Sequence, residues 1–341
     1  MHLLILTPGF PADESDTVCV PFLQTWLKEA AKHFTIKVIA FQYPFAEKHY
    51  HWNGIEVYAA GGNNAEFPFR FLTWHKVFRQ AKRWHRLMPF ERITSFWATE
   101  TGFEGMWIGK KWGLMQDIWI LGQDAKRENQ YPKWISGERN QFIAISPFLA
   151  NSFTENHQKK VQAVIPLGLS MPPNLPEIKD RKIEIIGLGA LAALKHFEQF
   201  VEIIETLKKD FPHIRAVIIG DGPEKERLQS QIKAANLTQN ILLSGRLPHE
   251  AIFPILKNSK ILLHTSEYEG QCMVFWEALA CGCYVAAKPV GYLPETGKTF
   301  ASPDLPAMTE QIKKWLRTKK PDFSPYIYEM SQTINEYRKM L

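Results

Sequence analysis

Short apolar runs alternate with amphipathic helical stretches, and this happens twice along the chain. In the first half, strands are predicted at Leu3 to Leu6, Ile36 to Phe41, Ile118 to Leu121 and Phe142 to Ile145, with a helix at Phe22 to His33. The second half has strands at Ile183 to Ile186, Arg215 to Ile219, Ile241 to Ser244, Ile261 to His264 and Tyr284 to Ala287. Helices lie between them at Phe197 to Lys209, Lys225 to Ala235, Glu250 to Asn258 and Met273 to Cys281. Strands joined through helices are the signature of parallel sheets covered on both faces. The segment Ser170-Met171-Pro172-Pro173-Asn174-Leu175-Pro176 carries three prolines and predicts an extended linker between the two rounds. The expected fold class is therefore α/β, with two doubly wound Rossmann-like domains, residues 1–171 and 172–320, facing a central cleft. The remaining 321–341, with a helix at Ile327 to Leu341, is expected to pack back on one of the two domains. Ligands of such sheets bind at the carboxyl ends of the strands.

Composition narrows the class. Hydrophobic residues make up 45% and charged residues 22% of the chain, which excludes a disordered or low-complexity protein. No apolar run approaches the roughly 20 residues that a membrane-spanning helix needs. The stretch Met1 to Gly9 reads as a buried first strand with no basic leader, so a cytoplasmic protein is expected. Cys19, Cys272, Cys281 and Cys283 show no Cys-x2-Cys spacing, which predicts neither a metal nor a disulfide. A net charge of +6 suits nucleic acid, anionic lipid or a phosphorylated small molecule equally. With no nucleic-acid module and the aromatics at core spacing, nucleic acid is not an expected partner.

The chemistry concentrates between Ser266 and Gly282, where a strand ends, a glycine turn follows and an apolar helix starts. Glu277 sits inside an otherwise apolar helical run, and a buried carboxylate needs hydroxyls or a cation. Helical side chains lean towards the N-terminus, so Glu277 projects over the first turn. There the backbone N–H groups of Cys272, Met273 and Val274 point at an anion. A phosphate and a ribose fit that geometry together. Glu269 precedes the turn and reaches towards a sugar beyond the phosphates, while Gly270 allows close backbone approach. From spacing alone, the plainer alternative stands beside this one: Glu269 solvated in its loop, and Glu277 paired with a Lys or Arg.

Glu269 and Glu277, followed by Ala278-Leu279-Ala280-Cys281-Gly282, closely resemble the paired-glutamate signature of the retaining glycosyltransferases of the fourth sequence family, which have two Rossmann-like domains. Three further blocks look like that family's, in its order: Gly220 to Glu224, Ser244 to His249 and Val290 to Glu295. The resemblance spans about residues 180 to 300. It implies that Glu277 binds the ribose hydroxyls and Glu269 the transferred sugar. It also implies that main-chain groups around Arg246 and Leu247 meet the base, and that Lys195, in the loop after Gly189, meets the diphosphate. Lys195, Glu269 and Glu277 are thus the expected catalytic residues. Gly9, Gly189, Arg246, Leu247, Gly270, Gln271, Cys272, Met273 and Val274 form the expected donor site. The implied substrates are a nucleoside diphosphate sugar, with UDP-sugar the expected donor and no cofactor, and a glycan or glycolipid acceptor. The chain departs from the family pattern at Ala190, where arginine is common, at Leu121, where histidine is common, and at Gly270-Gln271-Cys272. The first two departures motivate an alternative, a catalytically inactive relative that binds a nucleotide sugar or glycan.

Gly187-Leu188-Gly189-Ala190-Leu191-Ala192 also fits the dinucleotide fingerprint, which makes an NAD-linked oxidoreductase the rival enzyme reading. On the acceptor side, Trp97, Glu100, Gln123 and Asp124 are candidates, because aromatic faces and carboxylates hold sugar rings. From Phe71 to Met88, Phe71, Trp74, Phe78, Ala81 and Trp84 recur at helical spacing opposite Lys76, Arg79, Lys82, Arg83 and Arg86. This basic amphipathic helix either packs its stripe on the sheet or makes a peripheral contact with the inner face of an anionic membrane.

Overall fold

The computed structural model describes residues 1–66, 68–171, 178 and 180–341. The expected proline linker therefore lies, from Pro172 on, outside the described residues. The chain divides into two compact units, Met1–Gly168 with Glu329–Leu341, and Leu169–Tyr328.

The first unit is built on eight strands: β1 (His2–Gly9), β2 (Thr35–Tyr43), β3 (Lys48–Trp52), β4 (Ile55–Ala59), β5 (Arg92–Phe96), β6 (Met115–Ile120), β7 (Asn140–Ala144) and β8 (Val161–Val164). They are ordered β3-β4-β2-β1-β5-β6-β7-β8, and β3 alone among them runs antiparallel to its neighbour. Apolar alternation did not predict central β5, because its five buried residues include Arg92, Thr94 and Ser95. Helices α1 (Pro21–Ala30), α2 (Arg70–Leu87), α3 (Glu100–Trp112), α4 (Tyr131–Trp134) and α5 (Pro147–His157) cover the sheet. Leu4 and Leu6 of β1 and Ile39 and Phe41 of β2 share one cluster with Val77, Ala81 and Trp84 of α2. Trp26 of α1 packs its ring against Phe96, Trp119 and Tyr337. The inward face of α2 differs from the expected stripe. Thr73, Val77, Gln80, Ala81 and Trp84 are buried, whereas Phe71 lies exposed in the first turn of the helix.

The second unit has six strands, β9 (Ile183–Leu188), β10 (Ala216–Ile219), β11 (Ile241–Gly245), β12 (Ser259–His264), β13 (Tyr284–Ala287) and β14 (Thr299–Ala301). Their order, β11-β10-β9-β12-β13-β14, reverses direction between β9 and β12, and every pairing is parallel. That is the doubly wound order 3-2-1-4-5-6. Helices α6 (Phe197–Lys208), α7 (Lys225–Ala234), α8 (His249–Lys257), α9 (Met273–Ala280) and α10 (Leu305–Arg317) form the two outer layers. Side chains alternate across a strand, so neighbours Ile185 and Ile186 of β9 serve opposite layers. Ile185 joins Phe200, Ile204 and Ile312, and Ile186 joins Phe253, Phe275 and Leu279. Residues 321–328 stay with this unit, where Phe323 lies 4.1 Å under the Arg181 guanidinium and the Tyr326 N–H donates to the Leu279 carbonyl at 2.9 Å.

The chain then returns to the first unit as α11 (Met330–Met340). Its start runs against Gly168, where an added Cβ would meet the Glu329 carbonyl carbon at 2.2 Å, so only glycine lets the two segments pass. Thr333 Oγ1 accepts from the Gly168 N–H at 2.8 Å and donates to the Pro166 carbonyl at 2.7 Å. Tyr337 is fully buried, and its hydroxyl lies 2.7 Å from both Thr94 Oγ1 and Asp117 Oδ2. Asp117 also takes two bonds from the Arg92 guanidinium, at 2.6 and 2.8 Å. A buried ion pair holds only when its remaining lone pairs are satisfied, and Tyr337 supplies that bond from the far end of the sequence. No helix among the described residues is long and apolar enough to cross a membrane.

Tyr337→Phe leaves the buried Asp117 one donor short. The expected cost is about 1–3 kcal/mol, read as a lower urea midpoint for the first unit with the circular dichroism of the folded state unchanged. An unchanged midpoint would refute the bracing role of this hydroxyl.

Candidate active site

The turning point of the second sheet brings together the loops that leave β9 and β12. The two loops are stitched by Thr265 Oγ1 donating to the Lys195 carbonyl at 2.8 Å and by Ser266 Oγ and the Glu267 N–H bonding the Leu194 carbonyl at 3.3 and 3.2 Å. Lys195 is thereby held so that its ammonium bonds Glu269 Oε1. His264, the last residue of β12, meets the same oxygen through Nε2 at 2.9 Å. Burial alone works against a charged Glu269, yet His264 and Lys195 outweigh it and hold the carboxyl at about 2, below its ordinary 4.5.

Beyond Glu269, Cys272 caps α9 in the left-handed conformation, φ 62°, with no side-chain bond to the first turn. The leading N–H groups of a helix have no intrahelical acceptor, so the start of α9 offers them to an anion. Glycines permit the tight loop packing around this point. A Cβ on Gly220 would meet the Gly189 carbonyl oxygen at 1.9 Å, and one on Gly291 the Gln271 carbonyl oxygen at 2.6 Å. Gln271 and Cys272 are buried, Gly270, Met273 and Val274 partly so. Gly189 takes φ 147° at the end of β9, and Arg246 is exposed with half-buried Leu247 beside it.

Glu277 is buried one turn into α9 and bonds His249 Nε2 at 2.8 Å, so among the described residues its charged partner is an exposed histidine at the start of α8 and no Lys or Arg. The hydrogen bond to Glu277 raises the His249 pKa against the opposing effect of burial, with the charges of Glu277 and Glu250 adding to the rise. Sequence reasoning missed both histidines. His249 closes the Ser244 to His249 block, and His264 is the polar end of an apolar strand, which were the available signals.

One donor atom each from His264, Glu269 and Cys272 lies within 4.8 Å of the others, a spacing open to a small cation. Burial pushes the Cys272 thiol far up, and the Lys195 ammonium already occupies Glu269. This chemistry suits an anion beside Lys195 better than a divalent ion. The dinucleotide rival fares poorly for a related geometric reason. The fingerprint glycines do not open into a helix, since a 3₁₀ turn (Ala193–Lys195) and left-handed His196 precede α6.

In the first unit, Gly9 ends β1, and a Cβ there would make only ordinary contacts. Trp97 is half-buried at φ 68° and Gln123 is exposed. The other two acceptor-side candidates, Glu100 and Asp124, are buried. Glu100 accepts from Gln42 Nε2 at 2.6 Å and Trp74 Nε1 at 3.0 Å. Asp124, raised by burial against its amide bonds, accepts from the N–H groups of Ala98, Leu121 and Gly122 at 2.9, 3.0 and 2.7 Å. Glu100 ties the start of α3 to β2 and α2, and Asp124 braces the loop after β6.

With this geometry established, the whole chain compares with solved structures of the two-Rossmann, GT-B class of glycosyltransferases. It matches the lipopolysaccharide outer core galactosyltransferase WaaB over 100% of its own length and 99% of that chain, with TM-score 0.71 and 15% identity. Anabaena HepE, solved with UDP and glucose, matches over 99% and 98%, with TM-score 0.66 and 15% identity. The family of glycosyl transferases group 1 matches residues 174–329. Among curated relatives, an Arabidopsis thaliana phosphatidylinositol N-acetylglucosaminyltransferase is 28% identical over 178 residues, 47% of this chain. The match spans 40% of that relative's length.

A carboxylate depressed in the folded state stabilises it at pH values above the unfolded pKa and loses that contribution as pH falls through the folded one. The second unit should lose on the order of 3 kcal/mol between about pH 4.5 and about pH 2 through Glu269. Glu269→Gln should flatten that part of an acid-unfolding curve. Superimposable wild-type and variant curves would remove the assignment.

Proposed function

We propose that the chain transfers a hexosyl unit from a UDP-sugar to a hydroxyl of a glycan or glycolipid, with retained anomeric configuration. The observation that carries this reading is the meeting of Lys195 and Glu269 at the turning point of the second sheet, beside an α9 start that the Cys272 side chain leaves uncapped. Lys195 and the α9 amides take the diphosphate, Glu269 the sugar, and Glu277 the ribose hydroxyls, with main-chain groups near Arg246 and Leu247 meeting the base. UDP is favoured by the HepE structure, which was solved with it. N-acetylglucosamine is the first sugar to test, because the Arabidopsis relative is named for its transfer.

The bond from the anomeric carbon to the diphosphate breaks with both electrons passing to the phosphate oxygen. The acceptor oxygen forms the new bond on the same face of the sugar, and its proton ends on the departing phosphate. Lys195 and the helix amides meet the charge that develops there, and the two glutamates fix the donor, so catalysis rests on positioning and electrostatics. In the first unit, Trp97 and Gln123 are surface groups open to an acceptor, with Asp124 holding the loop that carries Gln123. Four free thiols suit a reducing cytoplasmic setting.

Glu269→Gln and Glu277→Gln should each lower kcat/KM by roughly 100-fold or more, while only Glu277→Gln weakens UDP binding markedly. Wild-type turnover in either variant would end this reading. UDP, and not NADH, should raise the unfolding temperature.

His249 adds a pH test. Below its raised pKa, the imidazolium clasps Glu277 and competes with the ribose hydroxyls. As pH rises through that value the clasp weakens, so UDP affinity should increase. His249→Asn should abolish the rise in isothermal titration, and an identical pH profile in the variant would sink the clasp.

A further inference from the structure

The outer side of α2, α3 and α4 in the first unit carries large apolar side chains that the core does not use. Phe69 is 66% exposed, Leu72 62%, Trp107 49% and Trp134 55%. Trp107 and Trp134 belong to a chain of ring contacts that reaches Phe71 on α2, the helix that also carries Leu72. Phe71 meets Trp74 at 5.2 Å between ring centres, Trp74 meets Phe103 at 5.5 Å, and Phe103 meets Trp134 at 6.0 Å and Trp107 at 6.4 Å. A groove of about 660 Å³ opens beside these rings, lined by Phe103, Trp107, Lys110, Trp134 and Arg139, with Glu138 its one carboxylate among the described residues. Contiguous exposed apolar surface of this kind marks a docking site.

The charge around this face selects its occupant. The 18 residues of α2 include Arg70, Lys76, Arg79, Lys82, Arg83 and Arg86 and no carboxylate. Arg70 pairs with Glu100, and Lys76 and Arg79 with Glu47. Lys82 and Arg83 of α2 and Lys110 and Lys111 of α3 are exposed, with no ion pair among the described residues. The two acidic residues of α3, Glu100 and Glu104, are buried. Outward cations beside half-exposed tryptophans match a surface whose outer layer is anionic and whose next layer is apolar, which is a bilayer rich in acidic headgroups.

We propose that this face of the first unit docks on anionic membrane, with the tryptophans and Phe69 and Leu72 entering the headgroup boundary, the groove taking an apolar lipid chain, and the lysines and arginines resting on the phosphates. The inference is independent of the donor chemistry, since none of these side chains belongs to the candidate active site.

The test is flotation of the full chain with vesicles of phosphatidylcholine alone and of phosphatidylcholine mixed with phosphatidylglycerol. Binding is expected to the mixed vesicles only and to weaken as salt rises. Trp107→Ser with Trp134→Ser should lower vesicle affinity roughly tenfold or more, and Lys82→Glu with Arg83→Glu should lower it and reduce its salt dependence. These exposed positions should leave the unfolding temperature and UDP-induced stabilisation as in the wild type, so loss of membrane binding is separable from failure of the donor site. Failure to bind mixed vesicles, equal binding to both vesicle types, or tryptophan variants that bind as the wild type would overturn the proposal. So would a concentration-dependent dimer that the tryptophan variants dissolve while vesicles go unbound, which would assign this face to a second copy of this chain.

Discussion

The bond between Lys195 and Glu269 is the constraint around which the second unit's site is organised. Neither residue lies in an α-helix or strand, so the positions of both depend on loops. The sheet order places the exits of β9 and β12 side by side, and the Thr265, Ser266 and Glu267 bonds to the β9 loop fix their separation. An ammonium so fixed presents a charge that needs no reorganisation when an anion arrives. The acidic Glu269 compensates that charge, and His264 holds the carboxylate from the strand side.

A common device recurs at Glu277. Each of the paired glutamates is matched by a cationic or titratable group from an adjacent loop or helix start, Lys195 in one case and His249 in the other. Buried carboxylates without such partners carry a large desolvation cost. Here the compensating groups can yield to a ligand's hydroxyls, since His249 is itself exposed.

The α/β rhythm and the glutamate pair were legible because apolar strands and a carboxylate inside an apolar helix are departures from the ordinary that a sequence displays directly. Strand β5 was hidden, since Arg92, Thr94 and Ser95 are buried by partners that only the fold supplies. The face of α2 was half legible for a similar reason: a helical stripe fixes periodicity, whereas the sheet decides which overlapping set turns inwards, and Phe71 was left outside. At Glu100 and Asp124 the sequence was silent on burial. Carboxylates at loop ends look available, yet their acceptors are filled by Trp74 and Gln42 in one case and by three amides in the other. His249 and His264 matter through distances across elements, which no local pattern carries.

The close passage of Gly168 and Glu329 means that the second unit is an insertion, entered and left through neighbouring points of the first. On a ribosome, the eight-stranded sheet would emerge well before the helix that supplies Tyr337 to Asp117. Its nascent form would wait with an under-coordinated internal ion pair while a whole α/β layer is made, so the later segment has the opportunity to mature first. Vectorial synthesis and order of completion are then opposed in this chain, and a nascent-chain protease assay would be expected to show the amino-terminal portion becoming resistant last.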